Sequence, residues 1–248
     1  MGVKPGGLRA GLRNISGVFV VPDSAVLQYA ATKETGLSDG DAITTLSDRV
    51  GSNDITGNAT YRTNQQNDRA VYQHDGVDDG HDGSFTLNQP LNQPLTVIVV
   101  VTDAAQLQGN TASEREMIVT NDVSPGSGGE IAIYWEGNGG YNWRLRANKQ
   151  GDSFNNFEGT NTNTPVLLTA ILDGANSVFR EDGAQQATGD AGSISWGGGL
   201  RTGLRNDGRE NFLDGALGEV VIYDANLDAT GDLTSEEQRL SDKWGISI

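Results

Sequence analysis

The 248-residue chain contains no cysteine, which excludes a disulfide framework, a thiolate metal centre and a thiol nucleophile together. Stability must then come from a packed core, with bound ions the other candidate source. Lysine is scarce, occurring only at Lys4, Lys33, Lys149 and Lys243, and the formal net charge is -16. A body so acidic, with an isoelectric point near 4.3, repels polyanions. Broad-face binding of nucleic acid or an anionic membrane is therefore disfavoured, and cations and cationic surfaces are the favoured partners. Histidine is limited to His74 and His81. Long apolar runs are missing too: the first, Ile15 to Val21, is stopped by Pro22 and is too short to span a bilayer. Nothing before it reads as a signal peptide, so a site of action outside a cell implies arrival by assembly or lysis.

What is present is glycine, 34 residues spread along the chain rather than massed in a linker, with no G-X-Y period. Short β-rich runs alternate with turn signals: Val18 to Val21, Ala70 to Gln73, Leu95 to Val101, Met117 to Thr120, Ile131 to Trp135, Tyr141 to Ala147, Val166 to Leu172, Ser177 to Arg180 and Leu217 to Tyr223. Between them stand Asp75-Gly76, Asp82-Gly83, Asn138-Gly139, Asp173-Gly174, Asp182-Gly183 and Asp214-Gly215, the dipeptides that tight hairpin turns favour. The clearest hairpin runs from Ile131 through Asn138-Gly139 to Ala147. Leu95 to Val101 and Val166 to Leu172 carry apolar residues on both faces, with one threonine in each run, which predicts central strands covered on both sides.

One helix is expected, at the end of the chain. Thr234 and Glu237 have the spacing of a capping box, and Leu240 and Trp244 lie one turn apart on a face that can dock on a sheet. Strands first and a terminal helix last exclude a Rossmann-type α/β pattern. The fold class is all-β, a single sandwich domain.

Four stretches in order, Leu37 to Asp41, Asp75 to Asp79, Leu213 to Asp224 and Leu233 to Ile246, resemble the concanavalin-A-like (laminin-G-like) jelly-roll domains of bacterial surface proteins and tailed-virus virion proteins. The similarity covers roughly residues 25 to 248. It departs at Leu46, where that family often has tryptophan, and at Gly80-His81, where it usually has an aromatic. The resemblance implies a jelly-roll sandwich with one C-terminal helix, in a superfamily that holds lectins, glycosidases and structural modules alike.

Candidate chemistry is concentrated in two places. Asp75, Asp78, Asp79 and Asp82 fall within eight positions of a glycine-rich turn, where oxygen-rich loops either wrap a hard cation such as calcium or form Asx-turns beside solvated acids. His74 and His81 flank that turn, as ligands, a base, or plain surface residues. In the expected hairpin, alternation puts Ile131, Ile133 and Trp135 on one face with Tyr141, Trp143 and Leu145, a core face. The opposite face, with Tyr134, Asn142, Arg144 and Arg146, is the candidate ligand-binding surface. Laminarinase-type glycosidases of the same superfamily carry alternating carboxylates on one strand. The nearest match is Glu130 and Glu136, about 20 Å apart along an extended strand and too far for a glycosidase pair. The expectation is therefore a non-catalytic structural or attachment module binding a host glycan or a protein. A glycan-cleaving hydrolase and a ligand-free decoration protein are the alternatives. The aspartate-rich, lysine-poor surface also resembles those of extreme halophiles, with an ordinary acidic extracellular β-protein as the alternative.

The first two dozen residues differ in character, with Lys4, Arg9 and Arg13 preceding the first acidic residue, Asp23. This basic arm, with Leu8, Leu12 and Ile15 as apolar anchors, is either a free terminus, a strand of its own sandwich, or an assembly arm that reaches a neighbouring subunit or virion body. Its Gly6 to Asn14 repeats Gly198 to Asn206, differing only at Ala10 against Thr202. Either chance or two similar docking grooves account for the echo.

Overall fold

The computed structural model describes residues 24–83, 91–103, 115–121, 129–136, 142–147, 155–159, 164–204 and 212–248. The arm residues Lys4, Leu8, Arg9, Leu12 and Arg13, the run 18–21, the Asn138-Gly139 turn and Tyr141 lie outside them. The first strands are β1 (Ala25–Ala30), β2 (Ala42–Leu46), β3 (Ile55–Gln66), β4 (Arg69–Asp75) and β5 (Gly80–Gly83). Then come β6 (Leu95–Asp103), β7 (Arg115–Asn121), β8 (Ile131–Glu136), β9 (Asn142–Ala147) and β10 (Asn155–Glu158). The last are β11 (Val166–Leu172), β12 (Ser177–Glu181), β13 (Ala184–Gly189), β14 (Leu200–Thr202) and β15 (Asp214–Tyr223), followed by α1 (Leu227–Thr230) and α2 (Leu233–Trp244). Among the described residues the fold is all-β with one helix of any length, at the C-terminal end, as expected.

Pairing runs β10-β9-β8-β7-β14-β5-β3-β4-β15-β6-β11-β12-β13, all antiparallel, with β1 on β15 and β2 on β3. The order folds back on itself, because the long β3 pairs with β5 through Thr56 to Asn58 and with β4 from Thr60 onward. Layer A is then β10-β9-β8-β7-β14-β5, and layer B is β4-β15-β6-β11-β12-β13. Alternation shows what lies between them: Leu95, Val97, Val99 and Val101 of β6 share the main core with Ile131, Ile133, Trp135, Trp143 and Leu145. Both Trp135 and Trp143 are buried, so the predicted core face of the hairpin is the real one.

The other face of β6, Ile98 and Val100, joins Leu167, Ile171 and Val221 in a second core under the helices. That is why β6 and β11 read as apolar on both faces. Helix α2 lays Leu240 and Trp244 there, and a Cβ at Gly218 would stand 2.7 Å from the indole, so only glycine lets the ring lie flat on β15. Beneath it the fully buried Glu219 accepts from Lys243 Nζ at 2.5 Å, Gln28 Nε2 at 2.6 Å, Trp244 Nε1 at 3.2 Å and Arg239 Nη2 at 3.3 Å. Burial pushes the Glu219 carboxyl upward, but Lys243 and Arg239 outweigh it and hold it below the usual range.

Three local expectations are corrected. The helix begins at Leu233 after Asp232, so Thr234 lies inside its first turn, and Glu237 pairs with Arg180 of β12 at 2.9 Å instead of closing a capping box. Asp214-Gly215 is not a turn but the start of β15, paired to Asp75 and His74, and Asp82-Gly83 ends β5. Asp182-Gly183 is a true hairpin turn, with φ of 46° and 74°.

Candidate functional site

The outer face of layer A is built by register. Tyr134 of β8 stands opposite Arg144 of β9, which stands opposite Glu158 of β10, and Met117 of β7 lies across from Tyr134. In the next row Asp82, Arg201, Thr120, Ala132 and Arg146 follow one another across five strands. On the other side Glu136 faces Asn142. Directly opposed residues in an antiparallel sheet point the same way, so all of these share one surface. Tyr134, Asn142, Arg144 and Arg146, the four candidates from alternation, are thus brought together.

Their environment is more enclosed than a bare sheet face. Tyr134 is fully buried, with the Arg146 guanidinium 5.3 Å from its ring centroid. Arg146 is itself buried and paired with Glu130 at 3.6 Å. The solvent reaches further in at Asn142 and Arg144. Arg144 bridges two carboxylates from different strands, Glu136 at 2.5 Å and Glu158 at 3.1 Å, and the Glu158 side chain is 55% exposed. Arg201 holds Asp82 through two parallel bonds of 2.9 Å. Such a surface offers fixed, planar donors and acceptors beside an aromatic ring.

The acidic turn divides. Asp82 points to Arg201, away from the other three. Asp75, Asp78 and Asp79 each place an oxygen within 4.8 Å of the others. Asp75 also accepts Val77 N at 2.9 Å and Asp78 N at 3.3 Å, an Asx-turn, and those amides hold its carboxyl below the ordinary range. Asp79 is raised by burial and by the charges of Asp75 and Asp78, and accepts from Asn58 at 2.7 Å. An all-oxygen set of this kind suits a hard cation, calcium before any transition metal.

The histidines are not surface residues. His74 and His81 are both fully buried, ring centroids 6.1 Å apart and edge to face, with Ile43 O 3.1 Å from His81 Nε2. Aspartates and glycines around them suggest a solvated turn, but residues 74 and 81 fall on the inward side of β4 and β5. Burial, and for His74 the neighbouring imidazole, lower their pKa values to about 3 and about 4.

No protein-family model matches the chain, and no curated protein matches it. Solved structures do. A Trypanosoma rangeli sialidase in complex with sialic acid superposes with a TM-score of 0.55 at 14% identity, over 94% of this chain and 35% of that one. An arabinofuranosidase complexed with arabinofuranosyl-α-1,2-xylobiose gives 0.58 at 12%, over 86% and 62%. A mutant of HCR/D gives 0.59 at 12%, over 87% and 52%. The chain therefore spans about a third of the sialidase and three fifths of the arabinofuranosidase, and these likenesses show the fold. They also correct the expectation of a non-catalytic protein, since sialidases and arabinofuranosidases, glycoside hydrolases, stand among the neighbours. Alternation along one strand brings together only the carboxylates of that strand. Here Glu136 and Glu158 meet across strands, on one guanidinium.

Proposed function

We propose that the chain is a carbohydrate-recognition domain whose glycan seats on the outer face of layer A, against Asn142, Arg144 and Glu158, with Tyr134 and Arg146 fixing the floor. The observation that carries this is the convergence of polar side chains from several strands on one surface, held by ion pairs that preset their direction. The fold neighbours, proteins that act on or were captured with sugars, support a glycan as the ligand class. Attachment at a virion or cell surface is the setting that the resemblance of the sequence suggests. Binding to a glycan panel, followed by calorimetry on the best ligand, tests the reading. Arg144→Ala should weaken that ligand by about tenfold or more, on the order of 1.5 kcal/mol for a charge-assisted contact. Unchanged affinity in a folded variant removes the site.

The bridged pair Glu136 and Glu158 favours a second reading, hydrolysis of the bound glycan by two carboxyl groups. The same panel distinguishes the two, because sustained release of reducing sugar, abolished by Glu158→Gln with binding retained, establishes hydrolysis.

A further inference from the structure

Strand β14 is short, yet among the described strands it alone joins the two parts of layer A. It bonds to β7 on one side and β5 on the other, and those two strands are not paired with each other. Its seat makes specific demands. Gly198 and Gly203 adopt φ of 76° and 73° at the two ends. The Gly199 carbonyl accepts Trp196 Nε1 at 3.1 Å. Leu200 is buried in the main core, and Arg201 forks onto Asp82. A Cβ at Gly203 would collide with the His74 ring, and Leu204 closes over Gly80.

Every one of these demands is met a second time in the sequence. Gly6, Gly7, Leu8, Arg9, Gly11 and Leu12 stand in the order of Gly198, Gly199, Leu200, Arg201, Gly203 and Leu204. The single difference falls at Thr202, which is fully buried and whose hydroxyl has no hydrogen-bond partner. An unpaired buried hydroxyl is a cost that alanine does not carry. Ala10 stands at that position. The repeat thus keeps each residue the seat uses and changes the one it does not satisfy.

We propose that Gly6–Asn14 of one copy docks between β5 and β7 of a second copy in place of β14, linking copies of the chain by strand exchange. Arg9 then takes the Asp82 carboxylate, Leu8 enters the core, and Ala10 replaces the orphaned hydroxyl. Replacement by a near-identical element is a low-cost route to association, because the arm re-forms the pairings and core contact that the displaced β14 gives up.

The absence of native cysteine makes the test direct. In the full chain carrying Arg9→Cys and Asp82→Cys, mild oxidation should yield disulfide-linked dimers and larger species on a non-reducing gel, with a 9–82 linked peptide by mass spectrometry. Arg9→Cys with Asp228→Cys, which moves the acceptor to α1 over the opposite layer, should lose the 9-to-acceptor link. Adding Thr202→Ala to the first pair should lower its yield, since the resident strand then matches its competitor. A 9–82 link confined to monomers overturns exchange between copies. So does a yield no greater than that of the control pair, or one indifferent to Thr202→Ala.

Discussion

Lowering the pH from 7 to 5 should destabilise the fold through His74 and His81. In the unfolded chain each imidazole titrates near 6.5, whereas in the folded chain the values are about 3 for His74 and about 4 for His81. Between those limits the unfolded state binds more protons, so stability rises with pH there. The full contribution is present above pH 6.5. It is lost progressively as pH falls, until about 4 for His81 and about 3 for His74. At pH 5 the unfolded state gains about 2 kcal/mol per histidine, about 4 kcal/mol for the pair, from roughly 1.36 kcal/mol per unit of separation. The effect is large against the roughly 5–15 kcal/mol that stabilises a typical domain. Urea unfolding at constant salt, followed by fluorescence of the buried Trp143, Trp196 and Trp244, measures it. Imidazole chemical shifts in the folded protein give an independent reading, because neither ring should titrate between pH 7 and 5. The reasoning is refuted by an inflection near 6.5 in the folded state, or by a stability that changes by less than about 1 kcal/mol over that range.

Three further outcomes concern the helix and its seat on β15. Trp244→Ala should cost about 3–5 kcal/mol and expose the outer face of layer B, detected as a fall in the urea midpoint and gain of dye binding. Gly218→Ala should displace the same indole from its place on β15, costing about 1–3 kcal/mol, and should add little on top of Trp244→Ala because the two act on one contact. Glu219→Gln leaves Lys243 buried without its carboxylate, and a loss of about 3–5 kcal/mol at pH 7 is expected by chemical denaturation.

How far the sequence revealed this molecule depends on how each element is held in place. β6 and β11 were legible because two cores press on them, so nearly every position had to be apolar. β3 was not, because Ile55–Gln66 is mostly polar and half-exposed, and its strand character comes from pairing with β2, β4 and β5 rather than from its own pattern. The turn between β3 and β4 escaped for a related reason: Asn67 and Asp68 hold φ of 49° and 57° without the glycine that marks such turns. The helix was legible from Leu240 and Trp244, but not its first turn, where tertiary pairing of Glu237 with Arg180 overrides a local cap.

The candidate surface shows the same division between what alternation carries and what register carries. A period of two places Asn142, Arg144 and Arg146 on one face of β9 whatever the partner strands are, and the hairpin pairing adds Tyr134 opposite Arg144. It is silent about Glu158, which is remote from Glu136 in sequence and arrives only because β10 pairs with β9 in the register that sets Phe157 opposite Leu145. Shifting that register by one residue would send Glu158 inward and Phe157 out. Phe157 is buried in the main core, so its burial holds Glu158 at Arg144. The chemistry available on the outer face of layer A is therefore fixed by apolar packing on its inner face. Phe157→Ser should accordingly loosen the Glu158 contact and reduce glycan affinity without touching a residue of the site, whereas Phe157→Leu should preserve both. Affinity equal in the two variants would show that the register is held by something other than this side chain.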